Sequence, residues 1–139
     1  MKHQAEQAKQ TSKQLWRFFN DQEWKKAHEL LSEDFEAYWP QSEEIIVGAD
    51  NFIEGSRRHI SGYNIRIQNS MYEYDQWDKV FTISLQVFLE SKKHDGNARD
   101  HFVVSFFEID RDGYIKSLTE YWTNNSMRLE WRKDLVQPK

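Results

Sequence analysis

The sequence predicts an α+β fold in which helices come first and a curved antiparallel sheet follows. Three observations carry that expectation. Apolar residues recur at helical spacing up to Leu31, strict two-residue alternation dominates from Tyr63 onward, and no stretch alternates strand with helix as a parallel βαβ unit would. At 139 residues the chain fits one domain, 1–139, long enough to bury a core without disulfides or metals.

From Gln4 to Phe19 there is no Pro or Gly, and Ala5, Ala8, Leu15, Trp16 and Phe19 lie near a helical period, so an amphipathic helix is expected. Asn20 and Asp21 supply capping chemistry. Trp24, Ala27, His28 and Leu31 then fall on the stripe of a second helix. After Ser32, Phe35, Ala37 and Trp39 alternate with Glu36 and Tyr38 until Pro40 stops a short strand; Ile45 to Val47 forms another, closed by Gly48. A third helix is expected from Asp50, as its cap, to His59.

Tyr63, Ile65 and Ile67 alternate with polar residues, as do Phe81, Ile83, Leu85, Val87 and Leu89, which is the pattern of strands with one buried face. His94-Asp95-Gly96-Asn97 reads as a turn, His101 to Ile109 as a strand, Arg111-Asp112-Gly113 as a tight turn and Tyr114 to Thr123 as the last strand. Short turns between consecutive strands make an antiparallel meander. The tail has only Leu129, Trp131 and Leu135 to bury, against a sheet edge or a neighbouring subunit.

The totals exclude several functions. There is no cysteine, hence no disulfide scaffold, cysteine nucleophile or thiolate zinc site. The polar N-terminus lacks a signal-peptide core and no apolar run approaches the roughly 18 residues of a membrane span, so a cytoplasmic protein without membrane contact is expected. A net charge of −4 with scattered basic residues lacks the basic stripe that nucleic acid requires. Aromatics, at 15% of the chain, are the informative excess, because they fill cores and also line small-molecule sites.

The segments AHELLSEDFEAYWP, IIVGADNFIE and DRDGYIKSLTEYWTNNSMRLEWR resemble the SnoaL-like branch of the nuclear transport factor two-like superfamily, with the same order of elements over nearly the whole chain. The resemblance implies a cone-shaped roll: a strongly bent antiparallel sheet wraps the first helix and leaves a pocket at its open end. It also implies a homodimer formed through the outer face of the sheet. Activities in the superfamily include cyclisation, isomerisation, dehydration and epoxide hydrolysis beside many members that only bind, so the fold does not select a function.

Acid or base chemistry in an apolar cavity needs a carboxyl or imidazole whose pKa desolvation moves toward neutrality. Glu120 is the first candidate and His59, ending the third helix just before Tyr63, the second. Exposure is the commoner fate of a carboxylate. On the last strand Glu120 shares parity with Leu118 and Trp122, whereas Ile115 shares it with Tyr121 and Thr123, so alternation leaves the inward face open. Glu108 and Asp110 sit opposite Phe107 and Ile109, where solvent is expected. The position at which SnoaL-like cyclases carry an acid aligns with Thr123, which weighs against cyclase chemistry.

Trp16, Phe19, Tyr38, Trp39, Tyr63, Tyr121 and Trp122 are the candidate pocket lining, suited to a small apolar or aromatic molecule. No P-loop, dinucleotide or nucleophile-elbow motif is present, and the five histidines have no metal-ligand spacing, so neither cofactor nor metal is expected. An Asp-Arg-Asp relay for epoxide opening would have to use Arg57, Arg58 or Arg66, and spacing assigns no aspartates to them. Three readings remain: a small-molecule-binding protein of unestablished activity, a lyase, isomerase or cyclase acting through Glu120 or His59, and a dimeric interaction module.

Overall fold

The structure is a computed structural model of the chain and describes residues 2–75, 79–92, 100–124, 130–135 and 137. Helix α1 spans Lys2–Asn20, α2 Trp24–Glu29 and α3 Ala49–Ile60. Strands β1 to β6 are Leu31–Trp39, Glu44–Val47, Tyr63–Asp75, Val80–Ser91, His101–Ile109 and Ile115–Asn124, and a short 3-10 helix covers Glu130–Arg132. The turn expected at His94 to Asn97 lies outside the described residues.

Helix α1 forms for the reason its spacing gives: Ala5, Ala8, Ser12, Leu15, Trp16 and Phe19 make one buried stripe. The polar member, Ser12, donates its hydroxyl to the Ala8 carbonyl one turn back. Leu31, expected on the stripe of α2, instead opens β1 opposite Ile115. The reason is a competing backbone partner, since the Leu30 carbonyl accepts the Ile115 N–H at 2.9 Å and sheet pairing replaces the next helical turn.

Asp50 does not cap α3, contrary to expectation. Gly48 holds the N-cap position at φ 92°, a conformation that costs glycine little, and no side chain bonds the helix start. The Asp50 carboxylate lies 2.7 Å from His28 Nε2 instead, tying α2 to α3.

The six strands form one sheet in the order β2-β1-β6-β5-β4-β3. It is mixed, which corrects the all-antiparallel expectation: β1 runs parallel to β6, while every other pairing is antiparallel. No hairpin joins β1 to β6, so nothing in the chain forces them antiparallel. The helices cover the inner face, where Phe35, Ile83, Leu85, Leu89, Phe107 and Leu118 meet Leu15, Trp16, Phe19 and Phe52, all essentially inaccessible. Each such side chain contributes about 1.5–3 kcal/mol by leaving water.

Register shifts interrupt the meander in two places. One extra residue, Gln68, is accommodated in β3 between Ile67 and Asn69, and another, Lys116, in β6 between Ile115 and Ser117. Such bulges bend a strand and exchange its faces. The second explains what simple alternation left open. Ile115 is inward, and beyond the bulge so are Leu118, Glu120 and Trp122, with Tyr121 outward at 40% exposure.

Candidate functional site

Between the end of β1, the turn that follows it, the C-terminal half of α3 and the end of β6 lies a cavity of about 390 Å³. Trp39, Gln41, Ser42, Gly55, Ser56, His59, Ile60, Glu120 and Trp122 line it. Each element delivers its residues by period: Trp39 follows Phe35 and Ala37 on the inner face of β1, Ser56 and Ile60 continue the buried stripe of α3, and Glu120 and Trp122 follow Leu118.

Glu120 is only 2% exposed. Trp39 Nε1–H donates to its Oε1 at 3.0 Å, and the Ser105 hydroxyl, directly opposite on β5, donates to Oε2 at 3.3 Å. Burial pushes the Glu120 carboxyl up to about 7, and the two hydrogen bonds restrain that rise by favouring the ionised form. The group is thus poised to hold or release a proton at neutral pH.

His59 stands at the rim. Its ring is 5.0 Å from Trp122, 5.7 Å from Tyr63 and 5.9 Å from His101, centroid to centroid. Partial burial, and secondarily the neighbouring His101, hold its pKa below the ordinary imidazole value, so at neutral pH the ring is uncharged. Tyr63 completes this aromatic rim, its phenol held above the ordinary value by burial and by Asp100. Across the mouth, the Trp122 backbone N–H donates to Gln41 Oε1 at 2.7 Å, fastening the turn after β1 to the last strand.

The residues anticipated as lining therefore divide. Trp39 and Trp122 line the cavity, and Tyr63 packs against its rim. Trp16 and Phe19 do not reach it; at 0% and 1% exposure they belong to the core beneath, because they lie on the buried stripe of α1. Tyr38 and Tyr121 do not reach it either: each is 40% exposed on the outer face, one residue out of phase with Trp39 and Trp122. The Thr123 and Asn124 side chains and Asn125 lie outside the described residues.

Sequence reading missed Ser105, although it left a signal, a polar residue in the otherwise apolar inner row Val103, Phe107 and Ile109. It also missed Gln41 and Ser42, for which the sequence offers no pattern. The arginines do not supply a relay: Arg57 and Arg58 bind Glu54 on the exposed side of α3, and Arg66 stacks over Phe88. Among the described residues no group of three or more His, Cys, Asp or Glu is placed to hold a metal ion.

The helix-covered, six-stranded open sheet with a cavity at one end is the nuclear transport factor two-like cone. Solved structures bear out the resemblance at the level of fold. A candidate ketosteroid isomerase from Kribbella flavida superposes with a TM-score of 0.76 at 19% identity, over 96% of this chain and 90% of that one. An LEH-like epoxide hydrolase of M. tuberculosis gives 0.61 at 15% identity, over 84% and 83%. The Anabaena orange carotenoid protein, in a structure binding canthaxanthin, gives 0.67 at 17% identity, over 79% of this chain and 35% of that one. No protein-family model and no curated protein matches the sequence. No helix among the described residues is long and apolar enough to cross a membrane.

Proposed function

We propose that this chain binds a small, mainly apolar molecule in the Glu120 cavity. The observation that carries the reading is a carboxyl group that is 2% exposed yet lines a cavity of about 390 Å³ whose walls include two indoles. A buried carboxyl without a ligand role is costly, whereas one that anchors a polar atom of an otherwise apolar guest orients it. Structures that superpose on this chain include proteins described as an isomerase, a hydrolase and a carotenoid binder, which supports a small-molecule site without choosing among them.

A second reading is supported by the Glu120 carboxyl being pushed up to about 7: lyase or isomerase chemistry in which Glu120 moves a proton and neutral His59 acts as the opposite partner. The interaction-module reading has less behind it, because the cavity is not filled by side chains. Thermal unfolding against a panel of aromatic, alicyclic and polyketide-like compounds tests the principal reading, since a ligand that binds only the folded chain raises its midpoint. A flat response across the panel would count against it.

We further propose that the chain is a cytoplasmic homodimer joined through the outer sheet face. There Tyr38, Phe102, Phe106 and Tyr121 are each 39–40% exposed on adjoining strands, an apolar patch of the kind that marks an interface. Light scattering checks it: Phe106→Asp is expected to convert a dimer to a monomer, and a monomeric parent chain would remove the proposal.

A further inference from the structure

We propose that the guest of this cavity is a cation, a compact aromatic or alicyclic amine whose ammonium group pairs with Glu120 while its ring lies against Trp39 and Trp122. The inference rests on the small-molecule reading above and narrows it to one ligand class.

The first support is hydrogen-bond direction. An indole N–H only donates, so Glu120 Oε1 must accept from Trp39, and Ser105 supplies a second donor at Oε2. Both wall contacts suit an ionised carboxylate, which accepts only. Neither brings a charge to balance it.

The second support is the set of groups facing Glu120. β1 presents Trp39, β5 presents Ser105, α3 presents Ser56 and His59, and the turn after β1 presents Gln41 and Ser42. Among the described residues no lysine or arginine lines the cavity. Arg57 and Arg58, on α3, are engaged by Glu54, and His59 is held uncharged with His101 beyond it. A buried carboxylate whose surroundings hold donors but no counter-ion is completed by a cation brought from outside. Two indoles on the wall supply flat apolar surface for the ring of such a guest.

The competing ligand class is a neutral carbonyl or alcohol that bonds the protonated carboxyl, and the two respond oppositely to pH. An ammonium ion binds the ionised carboxylate, so its binding below neutrality expels the Glu120 proton and its affinity climbs as pH rises. A neutral acceptor needs that proton and weakens over the same range.

The experiment is calorimetric titration of the full chain and of Glu120→Gln with 2-naphthylmethylamine and with its neutral counterpart 2-naphthylmethanol. The amine is expected to bind up to about tenfold more tightly at about pH 8 than at about pH 6. In Glu120→Gln it should lose at least about tenfold. The alcohol should bind parent and variant alike, which also reports that the variant is folded. An amine affinity unchanged by the substitution, or an alcohol binding the parent as tightly as the amine, overturns the cation proposal and leaves the small-molecule reading standing. Binding of neither probe overturns both.

Discussion

Trp39 and Glu120, 81 residues apart in the chain, are joined by an indole-to-carboxylate hydrogen bond of 3.0 Å across the parallel β1·β6 pairing. This bond closes the wall of the cavity and fixes which oxygen of Glu120 faces inward to Trp39. Its loss has a definite sign. In Trp39→Phe the ionised form of Glu120 loses a donor, so its pKa moves further up, at a stability cost of about 1 kcal/mol above neutral pH. Carbon-detected NMR titration of the carboxyl reads the shift; a downward or absent movement would contradict the assigned role of the indole.

Stability is expected to fall as pH rises through the window from 4.5 to about 7. Below it Glu120 is protonated in both folded and unfolded chains. Within it the unfolded chain gives up the proton while the folded one retains it, so ionisation favours unfolding. Above about 7 the penalty is complete, at about 3 kcal/mol. Urea unfolding of the parent and Glu120→Gln across this range isolates the contribution. The variant should lose this part of the slope and overtake the parent at alkaline pH.

His59 is expected to titrate below the ordinary imidazole range, and His101→Gln to bring its pKa back up by removing the like charge beside it. Proton NMR of the ring resonances measures both. If His59 titrates identically in the two proteins, the rim histidines do not communicate.

The two faces of β5 should respond very differently to truncation. Phe107→Ala, at a side chain with no exposure, is expected to cost about 3–5 kcal/mol, whereas Phe106→Ala, at 39% exposure, should cost less than about 1 kcal/mol in an isolated chain. Chemical unfolding below any self-association concentration compares them. Equal losses would place Phe106 in contacts other than those described.

Much of this architecture was legible because its signals are local. The stripe of α1 and the alternation of β4 and β5 are written in consecutive residues, and so the core members Leu15, Leu85 and Phe107 follow from period alone. What was not legible depends on partners far away in sequence. Leu31 has the spacing of a helix and joins a strand because Ile115 lies beside it. Asp50 has the chemistry of a cap and is drawn to His28. Glu120 was identifiable as a candidate, yet its burial rests on Trp39 and Ser105, neither of which any motif connects to it. Tyr38 and Tyr121 were legible as aromatics but not as outward ones, since their neighbours Trp39 and Trp122 are equally aromatic.

The extra residue at Lys116 separates the chain that closes the Asp-Gly turn from the chain that builds the cavity. Were β6 to pair in strict alternation from Ile115 with Lys116 retained, Ser117, Thr119 and Tyr121 would take the inner side and the carboxyl would be turned out to water. Deleting Lys116 does the opposite: Leu118 then falls two residues after Ile115, so Leu118, Glu120 and Trp122 keep the inner side on a strand that has lost its bend. The interior of this fold therefore hangs on one odd step in its last strand. Descendants that straighten that step at full length acquire a chemically new interior without a single substitution within it.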